Sequence, residues 1–279
     1  MEFRENRLIN ERYLRLSRKQ RLEHLVAKRT KNFKYLIKMH KGGHFWLNTI
    51  FFSNEIIEEY VKKIVPVERG THYLYLGLGI AKVLRLKVGH LSLRALAQLM
   101  EEWEYYVSGT GMQSMKYMMA KPTYCPYPEI ITSINNNNNS SNSSSSSQSH
   151  SNSSSRSNSN DMNNTNSNNN NNNNTATAVG LKKFNGEMVY EFLTCPTITY
   201  ELNYRLIFES LCGQLDDLYK NHFLNELNYC NQTNFDILLK LDTKIKHYII
   251  NVVAKEFTEI AQTIITDSFE ELRTSSVTF

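Results

Sequence analysis

Residues 233–269, TNFDILLKLDTKIKHYIINVVAKEFTEIAQTIITDSF, decide the fold class. The stretch holds neither Gly nor Pro, and Leu238, Leu241, Ile245, Ile249, Val252, Phe257, Ile260, Ile264 and Phe269 recur near the helical period. Thr233 with Asp236 three residues on resembles a capping box, with Asp in place of Glu. The pattern predicts one long helix, suited to the centre of a bundle or to packing against a partner.

Working outward, the same period returns elsewhere. Residues 4–40 contain no Gly or Pro, and Leu14, Leu22, Leu25, Val26, Phe33, Leu36 and Ile37 form a ragged apolar stripe. Gly42-Gly43 stops that helix, with Lys38, His40 and Lys41 in its last turn complementing the dipole. His44–Phe52 is aromatic and extended in character. Ser53 reads as the N-cap of a helix whose buried face is Ile56, Ile57, Tyr60, Val61 and Ile64. Leu74–Leu86 reads as a buried helix. Leu93, Leu96, Met100, Trp103 and Val107 mark a core-facing stripe over His90–Val107. Met112–Met119 is a short helix closed by Pro122. Asn185-Gly186, between Leu181–Phe184 and Met188–Leu193, is a hairpin signal. Helix resumes near Thr199 and runs towards Leu227. The expected fold is all-α, or α-dominant, with a small β-hairpin near 181–193.

Between the two helical halves lies a tract that is almost entirely Asn and Ser. Such a composition buries too little apolar surface to offset the entropy of ordering it. The expected organisation is therefore an N-terminal helical half (1–134), a disordered insert (135–179) and a C-terminal helical half (180–279) that shares one core with the first. A surface loop accepts such an insert because its backbone polar groups stay in water.

Charge is segregated. Residues 1–41 carry 13 Lys or Arg against 4 Asp or Glu, whereas residues 181–279 carry 9 against 14. Basicity thus belongs to the N-terminal helix, where Arg12, Arg15, Arg18, Lys19, Arg21, Lys28, Arg29 and Lys31 are the candidate residues for a polyanion or a partner. Docking on protein, including the acidic second half, is the first expectation. Nucleic acid follows, and an acidic membrane surface comes third.

Chemical motifs are sparse. Lys41-Gly42-Gly43-His44-Phe45-Trp46 lacks the spacing of a phosphate loop, and Gly77-Leu78-Gly79 is only a GxG. His40 and His44 stand four apart, but the glycines between them break the helix that would align them on a metal. Glu101, Glu102 and Glu104 have no His at di-iron spacing, so Glu101 and Glu104 read as a solvated face. The four cysteines include no CxxC pair, and no GxSxG occurs. Met112, Met115, Met118 and Met119 suit an adaptable surface or, more commonly, a core. No run is apolar enough for a spanning helix. No secretory or mitochondrial leader is legible at the N-terminus, which with reduced thiols fits the cytoplasm or nucleus. The expectation is a non-enzymatic helical interaction protein, a subunit or scaffold of a complex, without cofactor or metal.

Overall fold

The computed structural model describes residues 2–85, 89–123 and 179–275. The Asn/Ser insert, Cys125 and the boundary placed at 134–135 lie outside the described residues. Helix α1, Glu2–His40, is continuous and at about 1.5 Å per residue reaches nearly 60 Å. Only its second half has a buried face: Leu22, Val26, Phe33, Leu36 and Met39 are all at or below 5% exposure.

Its end is set by Gly42 (φ 76°) and Gly43 (φ 72°). A Cβ at Gly42 would stand 2.2 Å from Asn54 Oδ1 and 3.0 Å from Asn54 Cα, so the turn needs glycine there. A hairpin follows, β1 (His44–Trp46) antiparallel to β2 (Ile50–Phe52). Ser53 caps α2 (Asn54–Lys63), accepting from Ile56 N. The buried face of α2 is narrower than its sequence suggests. Ile57 and Tyr60 are buried, Ile64 is exposed, and Val65 beyond the helix end takes its place in the core.

Pro66 introduces α3 (Val67–Leu84), which packs against both α4 (Gly89–Val107) and α6 (Tyr204–Asp217). The glycines of the GxG pair serve this packing. A Cβ on Gly79 would meet Leu99 Cδ1 at 2.4 Å, and one on Gly77 would meet Gln214 Oε1 at 3.2 Å. Helix α5 (Thr110–Met119) follows α4. The chain then adds β3 (Lys121–Pro122) in parallel to β4 (Lys182–Phe184), itself antiparallel to β5 (Glu187–Val189). Asn185 (φ 48°) and Gly186 (φ 84°) make the hairpin turn that their sequence signals. The second strand is shorter than the run Met188–Leu193, because the amides of Glu191, Phe192 and Leu193 turn away to the Glu102 carboxylate at 2.8–2.9 Å.

After Asn203, which caps α6, the helix widens to a π turn at Leu218–Phe223 and stops. A short α7 (Glu226–Cys230) precedes α8 (Gln232–Ile245), whose cap is Asn231 rather than Thr233. A second π turn, Lys246–Ile250, joins α8 to α9 (Asn251–Ser275). This π turn corrects the sequence reading. Leu241, Ile245, Ile249, Val253, Phe257 and Ala261 are buried at constant steps of four, whereas Val252 is not. In a uniform α-helix each step of four drifts about 40° around the axis; the wider turn takes back part of that drift and keeps the stripe on the core.

Residues on both sides of the insert form one compact unit, Met1–Thr123 with Val179–Phe279. Helix α1 runs parallel to α8–α9, as side-chain contacts advance together from Arg18–Gln232 through Arg29–Asp242 to His40–Phe257. Buried and half-buried polar contacts tie the halves, among them three centred on Asp242, Glu256 and Glu102. Arg29 donates to both Asp242 oxygens at 2.6 and 2.7 Å, and Tyr219 Oη donates to Oδ1 at 2.8 Å. Arg69 forks onto Glu256 at 2.7 Å, joined by Tyr60 Oη. The third is Glu102 on the three amides.

Replacing Asp242 by Ala strands the Arg29 guanidinium in the core. We expect a loss of about 3–5 kcal/mol, read as a fall in the urea midpoint at unchanged m-value; a change below 1 kcal/mol would show that the pair contributes little.

Candidate interaction surfaces

The eight basic residues picked out on α1 divide by the position of the turn that carries them. Arg29 lies on the buried face and is consumed by Asp242. Arg18 reaches the end of α7, donating to Tyr229 O at 2.7 Å and Cys230 O at 3.1 Å, carbonyls that a helix C-terminus leaves unpaired. Arg15 pairs with Glu226 and lies over the Tyr229 ring; Arg21 lies 5.8 Å from the Phe235 ring centroid. Lys19 pairs with Glu23 one turn on. Arg12, Lys28 and Lys31 are exposed. Half of the set is thus turned onto the second half of the same chain.

The acidic cluster is likewise interior. Glu102 is fully buried. Burial pushes its carboxyl up from the ordinary value, against the lowering effect of the Leu193, Glu191 and Phe192 amides and of Gln98. Glu104 is not the solvated acid its position suggests, with a side chain only 17% exposed. Burial works to raise its pKa, but bonds from Lys244, Tyr248 and Lys116 overcome that and hold it at about 2. Sequence spacing cannot reveal these partners, because Lys244 and Tyr248 arrive from α8 and the π turn after it.

His40 is enclosed by Phe208, Phe257, Tyr60 and Tyr204 rings at 4.1–5.9 Å, stacked on Phe208. Its Nδ1 stands 2.8 Å from Leu36 O, which assigns the proton to that nitrogen. His44 lies across the glycine turn in β1, away from any shared helix face. Among the described residues no group of three His, Cys, Asp or Glu is placed to hold a metal ion. Nor, among them, is any helix long and apolar enough to cross a membrane. A groove of about 540 Å³ between α4 and α8 is lined by Ala97, Ile237, Leu241 and Lys244.

Among the described residues, large apolar side chains stand in water at several places, three of them on helices α1, α9 and α5. On the first half of α1, Leu8, Ile9, Tyr13, Leu14 and Leu16 are 46–70% exposed. Near the end of α9, Ile265 and Phe269 are 39% and 68% exposed. On α5 none of the residues is buried, and Met112, Met115, Met118 and Met119 are 48–78% exposed. Their spacing gathers these methionines on one face, opposite the side that reaches the body through Lys116–Glu104 and Gln113–Tyr105 O. The methionine stripe is therefore surface, not core. The chain matches no family model, no curated protein and no solved structure.

Burial in the aromatic cage, with minor help from Arg205 and Arg69, lowers the His40 pKa from 6.5 to about 4; the Leu36 carbonyl and Glu256 oppose the shift. Because the folded value lies below the unfolded one, the unfolded chain binds more protons between them. The stabilisation is full above about pH 6.5 and is lost as pH falls towards 4, by about 3 kcal/mol in all. Denaturation curves across that window should show this slope in the wild type and a flatter one in His40→Phe; equal slopes would mean that His40 is not the group responsible.

Proposed function

We propose that this chain is a non-enzymatic helical interaction protein, a subunit or scaffold of a cytoplasmic or nuclear protein complex. The observation that carries the reading is the α5 methionine face. A ten-residue helix is marginal in water without a packed side, yet α5 turns four methionines outward. Unbranched thioether side chains adapt to more than one complementary shape, and contiguous exposed apolar surface marks protein contact sites. The exposed ends of α1 and α9 extend the same argument. They project beyond the stretch where the two long helices contact each other, so their apolar residues have no counterpart in the pair. The intramolecular use of Arg15, Arg18 and Arg29 supports protein contact over nucleic acid as the role of the basic helix, since those cations already neutralise carboxylates and carbonyls of the second half.

The test is affinity capture of the tagged full-length chain with and without nuclease. It is compared with a Met115→Lys, Met118→Lys variant, whose surface changes should leave stability within about 0.5 kcal/mol. Stoichiometric protein partners that survive nuclease and are lost from the variant are expected. Partners retained by the variant would remove α5 from the interface, and partners lost on nuclease treatment would replace the protein reading with nucleic-acid binding.

A further inference from the structure

The β1–β2 hairpin is anchored below and apolar above. Trp46 and Phe52 face inward, 5.3 and 5.6 Å from the Phe257 ring, and Trp46 stacks on Tyr35. On the outer face Phe45 and Phe51 are cross-strand partners with ring centroids 5.3 Å apart, and they are 54% and 48% exposed. Leu47, at the turn, is 64% exposed.

The turn itself is unusual. Leu47 (φ 48°) and Asn48 (φ 57°) both occupy the left-handed region, as the first two of the three residues between the paired Trp46 and Ile50. A bulky residue there is strained, and Leu47 recovers nothing by burial. The strain is held by Tyr35, whose Oη accepts from Leu47 N at 2.7 Å and donates to Phe45 O at 3.2 Å. Thr49 Oγ1 donates to the Trp46 and Leu47 carbonyls. The fold thus fixes an apolar side chain at the tip of a rigid hairpin, in water.

The stretch of sequence that carries it is basic. From His24 to Asn54 the sequence holds six Lys or Arg and no Asp or Glu. Lys31 and Lys38 stand one helical turn before and after Tyr35, and both are exposed, as are Lys28 and Lys34. Arg29, the single arginine in the segment, is buried.

We propose that this hairpin and the lysines flanking Tyr35 form a docking site for an anionic lipid surface. Phe45, Leu47 and Phe51 enter the boundary between headgroups and acyl chains, and Lys28, Lys31 and Lys38 lie against lipid phosphates. Hydrocarbon suits this tip better than bases do. Leu47 presents no ring to stack on, Phe45 and Phe51 meet each other edge to face, and the exposed cations are lysines, point charges without the fork that reads phosphate and base edges. The inference goes beyond the protein-binding reading and does not depend on α5.

The experiment is co-sedimentation of the full-length chain with vesicles of phosphatidylcholine alone and of phosphatidylcholine with phosphatidylserine. Binding to the anionic vesicles only, weakening with salt, is expected. Lys31→Gln with Lys38→Gln should weaken it about twenty-five-fold, at about fivefold for each lysine near the surface. Leu47→Asn should weaken it about tenfold while the thermal midpoint holds or rises, because Asn accepts the positive φ that Leu resists. A misfolded variant would instead lower that midpoint. The proposal is overturned if the wild type does not distinguish the vesicles, if Leu47→Asn binds as the wild type does, or if the chain binds a single-stranded oligonucleotide and no vesicle. The Met115→Lys, Met118→Lys variant should keep its vesicle binding, which separates failure of this site from failure of the α5 surface.

Discussion

The fork between Arg29 and Asp242 is the constraint on which the arrangement of the long helices depends. Each partner is under a tenth exposed, so neither charge tolerates the loss of the other. Asp242 is placed by α8 and Arg29 by α1, and a bidentate pair accepts little error in distance or angle. This contact fixes the axial register of α1 against α8, and the contacts on either side of it, Arg18–Gln232 and His40–Phe257, make the two run parallel. Tyr219, donating from the π turn after α6, brings a third element to the same carboxylate. Burial opposes the Arg29 charge, but the Asp242 hydrogen bond is the larger effect and leaves its pKa raised.

Two further joints repeat the logic with different chemistry. Glu256 gathers Arg69 and Tyr60 beneath the aromatic cage around His40. Glu102 organises no cation; it holds three successive amides of the segment after β5 and so sets where that strand ends. Charge segregation along the chain thus has a structural outlet, since basic residues of the first half and acidic residues of the second meet inside one core. The same pairing limits what the basic helix offers a partner. Besides Arg12 on the first half, exposed cations remain on the outward turns at Lys28, Lys31 and Lys38, the last two flanking Tyr35 under the hairpin.

Much of the architecture was legible in local pattern. The span of α1, its glycine stop, the Ser53 cap, the α4 stripe and the Asn185-Gly186 turn all depend on residues within a few positions of one another. Where the reading slipped, the missing information was tertiary. Val252 yields to Val253 because a π turn rephases the helix against α1 and β1. The α5 methionines lie outside because α5 sits at the edge of α4, while periodicity shows only that one face is apolar and not what it faces. Glu104 ceases to be a solvated acid once Lys244 and Tyr248 arrive from more than a hundred residues away.

By itself, then, the sequence determined the helical class, most element ends, the turn glycines and the separation of charge, since each follows from backbone sterics, side-chain period and composition. Only the tertiary structure decided which basic residues are spent internally, which apolar residues remain in water, and that a strained leucine stands at a hairpin tip among lysines. Those outcomes depend on which distant surfaces meet, and burial of a given side chain is a property of the packed assembly, not of its neighbours in sequence.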